Sequence, residues 1–265
     1  MQLHLNSCFW NVIFCCCQRG LTAFINQLKY VQAMTEIHSV LITGASRGIG
    51  LEFVRQFLSD SSVQCRIIIA ACRSPENADI LQELKNSSSK IHILKLDVNQ
   101  FKTFDHFATE VAEIVGNKGL TLLINNAGVA TSVSDKLADI TPEKFISVLT
   151  TNSVAPVLIT KALYPLLKQA AQVQSKNIDG FSVKRAAVIN ISSVAGSISR
   201  NIGNYKCWCY RESKAALNMS TKSLAIELGK DGILVESFHP GFVDTDMTSN
   251  IKEGEQYKNK CCRQR

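Results

Sequence analysis

At 265 residues, 46% of them hydrophobic and 19% charged, the chain is long enough to bury a large core and too apolar to be disordered by composition. Its net charge is +7, and no stretch combines dense Lys/Arg with aromatic residues as nucleic-acid binders do, so no nucleic-acid partner is expected. Ten cysteines, at 8, 15–17, 65, 72, 207, 209, 261 and 262, form neither CxxC pairs nor Cys/His ligand spacing, and read as reduced thiols of a cytoplasmic protein with no metal implied.

Residues 1–37 read as an N-terminal extension outside the core. CFWNVIFCCC is an apolar run too short to span a bilayer, and Arg19 follows it where a signal peptide needs its charge first. Cys15, Cys16 and Cys17 are possible acylation sites. The plainer expectation is a non-essential segment ahead of Met34, with no membrane attachment. From Ser39 the chain alternates apolar runs with amphipathic segments: SVLIT, CRIIIAAC, IHILKLDV, LTLLINNAG, AAVINISS and GILVESFHPG read as strands, and LEFVRQFL and ATEVAEIV as intervening helices. That rhythm predicts the α/β class, a Rossmann-type doubly wound parallel sheet flanked by helices, in one domain over 38–248. Residues 249–265 read as a polar basic tail.

The first strand runs into TGASRGIG, Thr43 to Gly50, with a helix directly after it. Gly44 suits the tight turn, Gly48 admits a pyrophosphate to the helix N-terminus, and Gly50 lets helix and strand pack closely. A dinucleotide site next needs a group near the end of the second strand to read the adenosine ribose. An acid there would hold the 2′-hydroxyl of NAD, but the chain has Ala71, Cys72 and Arg73. Arg73 with Arg47 matches a 2′-phosphate, which favours NADP(H). The nearest carboxylate, Glu76, has a structural explanation, because Ser74-Pro75-Glu76 reads as N-cap, N1 proline and early helical acid.

Two Tyr/Lys pairs then appear at four-residue spacing, Tyr164/Lys168 in YPLLK and Tyr210/Lys214 in YRESK. On a helix such residues share a face. An ammonium about 4 Å from a phenol, at an effective dielectric of about 20, favours the phenolate by roughly 4 kcal/mol, or about 3 pKa units. Spacing alone does not choose between the pairs. Ahead of both pairs, Pro156 follows Asn152 by four residues and has no N–H to bond the Asn152 carbonyl, which leaves that carbonyl free to hold a water.

TGASRGIG, NNAG at 125–128, NISS at 190–193, YRESK at 210–214 and HPGFVDT at 239–245 occur in the order found in short-chain dehydrogenases/reductases, which the chain resembles over roughly residues 38 to 248. RAAVINISSVAGSI, a long loop and YRESKAALN resemble the sniffer-like, C-factor-like carbonyl reductases. The resemblance implies NADPH-dependent reduction of a small-molecule carbonyl (aldehyde, ketone or quinone) to an alcohol. It assigns Tyr210 as proton donor, Lys214 as partner of the nicotinamide ribose and of the tyrosine, Ser193 as carbonyl-oxygen ligand and Asn152 as anchor of a proton-relay water. Ser192 is the adjacent alternative to Ser193, but successive strand residues point to opposite faces. Tyr205 has Cys209, not lysine, four residues on.

The implied cofactor contacts are Gly44, Ser46, Arg47, Gly48, Ile49 and Gly50 in the glycine turn and Arg73 after the second strand. Asp97 and Val98 would meet the adenine, and Asn125, Ala127 and Gly128 would lie beneath the ribose. Pro240, Gly241, Val243 and Thr245 would hold the carboxamide. Helices bearing Asn152 and Tyr210 often form the family's dimer interface, so a monomer or homodimer is expected. After HPG, where the family continues through a substrate-covering helix and a last strand, IKEGEQYKNKCCRQR resembles neither. A second reading follows from that departure and from the bulky Lys206-Cys207-Trp208-Cys209 before Tyr210: a catalytically weak, NADP-binding protein acting through interaction. A thiol sensor at Cys207 and Cys209 is a third.

Overall fold

The computed structural model describes residues 35–61, 63–130, 137–175, 178, 180–201, 207–241, 243 and 245–247. Residues 1–34 with the cysteine triplet, Tyr205, Lys206 and the basic tail lie outside the described residues, but the extension expected to run to residue 37 ends earlier: Thr35–Ile37 open the first strand, and Ile37 is buried in the core because it pairs alongside the second strand.

The apolar runs become six strands: β1 (Thr35–Thr43), β2 (Val63–Cys72), β3 (Ile91–Lys95), β4 (Leu122–Asn125), β5 (Ala187–Ile191) and β6 (Leu234–Phe238). All pair in parallel, in the order β3-β2-β1-β4-β5-β6. The order reverses between β1 and β4, so the carboxyl ends of those two strands flank the crevice where ligands of doubly wound sheets bind.

The helices are α1 (Gly48–Ser59), α2 (Asp79–Ser87), α3 (Phe104–Val115), α4 (Pro142–Leu149), α5 (Ala155–Gln174) and α6 (Trp208–Leu228). Alternation along the strands divides the core. Val40, Ile42, Leu122, Ile124 and Ile189 face α1 and α2 through Phe53, Val54, Phe57 and Leu81. Leu41, Leu123 and Val188 face α3, α5 and α6 through Phe107, Val111, Ile159, Leu163 and Leu228. The helical run Pro142–Gln174 is long and apolar enough to cross a membrane, but its apolar stripe of Ile159, Leu163 and Leu167 is buried on the sheet. Its hydropathy is that of a core helix.

Two local expectations change. Ser74 does precede a proline-led turn, but Pro75–Asn77 is a separate 3-10 turn and the Ser74 side chain caps nothing; α2 starts later, at Asp79. Between α4 and α5, residues Thr150–Val154 form a π turn in which the Ala155 N–H bonds the Thr150 carbonyl five residues back. Pro156, fully inside the helical run and unable to donate, is accommodated by widening the turn and not by a simple kink.

Candidate active site

The glycine turn is built by steric necessity. Gly44 and Gly48 hold φ of +67° and +55°, where side chains are strained. A Cβ at Gly50 would lie 2.3 Å from the Gly44 carbonyl oxygen and 2.6 Å from Asn126 Nδ2, so only glycine lets α1 start this close to β1. Asn126 locks the turn from below, donating to the carbonyls of Thr43 (2.9 Å) and Gly44 (3.2 Å). The Thr43 hydroxyl accepts from the N–H groups of Asn126 and Ala127, each at 3.0 Å. The β1 and β4 carboxyl ends are thus one rigid floor, with the N-terminus of α1 opening above it. This cradle fits a dinucleotide pyrophosphate, which needs open backbone N–H groups and no Cβ in the way.

Of the other expected cofactor residues, Arg73 is exposed at the end of β2, and Arg47 reaches Asp246 at 3.3 Å across the surface. Thr245 lies over Gly48, with its methyl 3.5 Å from where a Cβ would be. Gly241, at φ +81°, turns the chain after Pro240 back toward the glycine turn. Ser46 and Ile49 are half-buried, and Ile49 packs on the core. The Asp97 carboxylate accepts the Asn99 N–H at 2.9 Å, which shapes the loop after β3, and Val98 is buried beside it. Asn125 is placed differently from its neighbours Ala127 and Gly128. Its amide points into the sheet, donating to Asn190 Oδ1 at 2.9 Å and Thr160 Oγ1 at 3.3 Å, and Asn190 continues to Thr221 at 2.8 Å. Asn125 supports the floor through a buried polar ladder.

The π turn is the hub of the catalytic side. Thr151 donates to Asn99 Oδ1 at 3.0 Å, tying in the loop after β3. The fully buried Asn152 accepts the Val129 N–H and donates to the Val129 carbonyl, both at 2.8 Å, holding the loop after β4. Its Nδ2 also donates to Ser213 Oγ on α6 at 3.0 Å. The sequence pointed to the backbone carbonyl of Asn152; the structure adds a side chain that joins two loops to the helix of Tyr210.

Ser193, Tyr210 and Lys214 converge at the carboxyl end of β5. Ser193 caps the short turn Val194–Gly196, accepting the Ala195 N–H at 3.1 Å, and its hydroxyl lies close enough to the Tyr210 phenol to lower its pKa. Ser192 instead donates to Asn218 Oδ1 at 2.6 Å, so the two serines do diverge. The Lys214 ammonium donates to the Ile191 carbonyl at 2.8 Å and lies 5.6 Å from the Tyr210 ring centroid. Gly196 makes this approach possible, since a Cβ there would be 2.6 Å from the Lys214 carbonyl carbon.

The electrostatics depart from expectation. Burial pushes the Tyr210 phenol up to about 12, the Ser193 hydroxyl works against that shift, and the nearby Cys207 thiol adds to it. Burial also brings the Lys214 ammonium down to about 8. Desolvation therefore outweighs the charge attraction that was expected to bring the tyrosine toward neutrality. Tyr210 holds its proton at neutral pH, and Lys214 titrates near physiological pH.

The other pair, Tyr164 and Lys168, lies on α5 away from this edge. Tyr164 packs partly on the core, its hydroxyl donates to Asp231, and Lys168 pairs with the same carboxylate at 2.9 Å. Cys209 is buried, Cys207 sits at the N-terminus of α6, and Trp208 is turned outward. The residues that sequence reasoning missed are Asn126, Ser153, Asn190, Gly196 and Ser213. Polar residues in otherwise apolar strand runs, such as Asn190 in AVINI, were the available signal.

A doubly wound sheet with a glycine cradle at its switch point, and a Ser, Tyr and Lys cluster beside it, defines a dinucleotide-dependent oxidoreductase. The sequence pattern described as short chain dehydrogenase matches residues 38–256, and the chain belongs to this family. The NADPH-bound carbonyl reductase from chicken fatty liver superposes with TM-score 0.77 at 38% identity, covering 83% of this chain and 81% of that one. The carbonyl reductase Sniffer of D. melanogaster gives 0.76 at 37% identity, covering 80% and 83%. An uncharacterized oxidoreductase of Schizosaccharomyces pombe is 34% identical over 213 residues, which is 80% of this chain and 76% of that protein.

Proposed function

We propose that the protein reduces a small aldehyde, ketone or quinone to the alcohol with NADPH, using Tyr210 as proton donor. The observation that carries this reading is the convergence of Ser193, Tyr210 and Lys214, with the Lys214 nitrogen 5.6 Å from the Tyr210 ring centroid, at the edge that also bears the glycine cradle. When bound, NADPH supplies the hydride that adds to the carbonyl carbon.

The chain's own residues supply the rest. Tyr210, protonated at neutral pH, gives its proton to the oxygen as charge develops there, and Ser193 stabilises that charge. The Ser193 hydroxyl lowers the phenol pKa, so it also stabilises the phenolate left behind. Lys214, with its pKa about 8, is suited to pass a proton to that phenolate. The Asn152 carbonyl, which Pro156 deprives of a helical donor, would hold the water that reprotonates Lys214; the π turn at Thr150–Val154 supports this reading. Arg47 and Arg73 favour the 2′-phosphate of NADPH over the ribose hydroxyl of NADH, and the NADPH-bound chicken relative supports that preference. We further propose that the protein acts in the cytoplasm.

Titration of the full chain with NADPH and NADH, then NADPH oxidation against a panel of aldehydes, ketones and quinones, tests the reading. Tighter binding of NADPH with carbonyl-dependent turnover is expected, and the Arg47→Ala/Arg73→Ala variant should lose the preference while keeping NADH binding. NADPH binding without turnover on any carbonyl would favour a cofactor-binding interaction protein instead.

A further inference from the structure

We propose that Ser213 is a positioning residue that fixes the proton donor relative to the floor of the cofactor site. The inference rests on the reductase reading above. Ser213 is fully buried, and its hydroxyl fills two roles at once. It donates to the Tyr210 carbonyl at 2.8 Å and accepts from Asn152 Nδ2 at 3.0 Å. The single proton and one of the two acceptor lone pairs of the hydroxyl are thereby engaged, which fixes where its proton points. The Ser213 carbonyl in turn accepts from Ser153 Oγ at 2.7 Å. The π turn and α6 are therefore stitched at two successive points.

The consequence is a continuous path of hydrogen bonds, buried at its centre between Asn152 and Ser213. It starts at the backbone of Val129, next to Gly128 in the loop under the cofactor site, passes through the Asn152 amide to Ser213 Oγ, and ends on the backbone of Tyr210 itself. A mid-helix serine that bonds back to the carbonyl three residues earlier sets the local geometry of its turn. Here that turn runs from Tyr210 to Ser213, immediately before Lys214. Removing the hydroxyl leaves a proton of the buried Asn152 amide unmatched and releases the turn that carries the phenol. Binding of the cofactor on the glycine cradle does not use Ser213, so the loss falls on the chemical step. Misplacement of a reacting group by about 1 Å costs on the order of 100-fold in rate.

The test compares Ser213→Ala and Ser213→Cys with the wild-type chain. Cysteine keeps the size of serine with a weaker donor, so it preserves folding if alanine does not. Expected is a graded fall in kcat, cysteine intermediate and alanine lower by about 10–100-fold. NADPH Kd should stay within about 2-fold, and the solvent isotope effect on kcat should rise as proton transfer becomes slower. Wild-type kcat in Ser213→Ala would overturn the proposal. So would parallel loss of kcat and NADPH affinity with an unchanged isotope effect, since that is the signature of general loosening. A wild-type chain inert toward every carbonyl would sink the reductase reading and this proposal with it, whereas an active wild type matched by both variants sinks the proposal alone.

Discussion

Tyr210/Lys214 and Tyr164/Lys168 have the same spacing on two helices that cover the same face of the sheet, and nearly the same geometry. The lysine nitrogens lie 5.6 Å and 5.7 Å from their ring centroids. Everything that separates them comes from their surroundings. Tyr210 is desolvated and has beside it a serine hydroxyl that supports its phenolate, with a buried lysine brought down to about 8. At the surface, Asp231 raises both Tyr164 and Lys168 by hydrogen-bonding them, and is itself lowered by them. That carboxylate opposes formation of a phenolate and holds the ammonium to itself. A reactive pair thus requires burial and the absence of a competing carboxylate more than it requires a particular distance.

The contrast can be broken most forcefully at the lysines. Lys214→Met is expected to lower kcat by about 100-fold or more, because proton delivery to Tyr210 is lost, whereas Lys168→Met leaves turnover unchanged. The pH dependence sharpens the same point. Lys214 should impose a limb near pH 8 on kcat for reduction, with activity falling as the ammonium deprotonates, and the residual turnover of Lys214→Arg should lack that limb, since its guanidinium keeps the charge but passes no proton on.

Stability offers a second view of Lys214. Its folded pKa lies below the ordinary lysine value of 10.5, so between about pH 8 and 10 the unfolded chain binds more protons than the folded one, and stability rises with pH. Denaturant unfolding of the cofactor-free protein, referenced to Lys214→Met, should show a gain of about 2 kcal/mol over that interval. A flat difference would mean that burial does not perturb Lys214. The smallest effect is expected at the surface pair. Asp231→Asn should leave turnover unaltered and change the melting temperature no more than an ordinary surface substitution does. Carbonyl reduction gained by freeing Tyr164 and Lys168 in that variant would break the comparison from the other side.

The strands and the glycine turn were legible because their signals are local: apolar runs of fixed length, and glycines whose φ or close contacts admit nothing else. The six runs read as strands are the six strands, the first two extended at their N-terminal ends and the other four shortened. The order of five motifs carried the site, since Ser193, Tyr210 and Lys214 are drawn together by elements that follow one another along a single sheet edge. What was not legible depended on neighbours distant in the chain. The direction of the Asn125 amide is set by Asn190, 65 residues on, and the pairing of Tyr164 with Asp231 spans 67. The i,i+4 rule treats the two lysines alike, so the balance between charge attraction and desolvation could be read only once the burial of Tyr210 and Lys214 was known. Pro156 signalled an interrupted helix, but a π turn and a kink share that signal, and only packing against Ser213 and Asn99 distinguishes them.

The most direct test of this account is NADPH oxidation by the wild-type chain, Tyr210→Phe and Tyr164→Phe, measured side by side with the best carbonyl substrate and with NADPH binding confirmed for each. Loss of turnover by about 100-fold or more in Tyr210→Phe, with Tyr164→Phe equal to wild type, is the predicted result. Undiminished turnover in Tyr210→Phe would contradict it, because the buried phenol would then not be the proton donor.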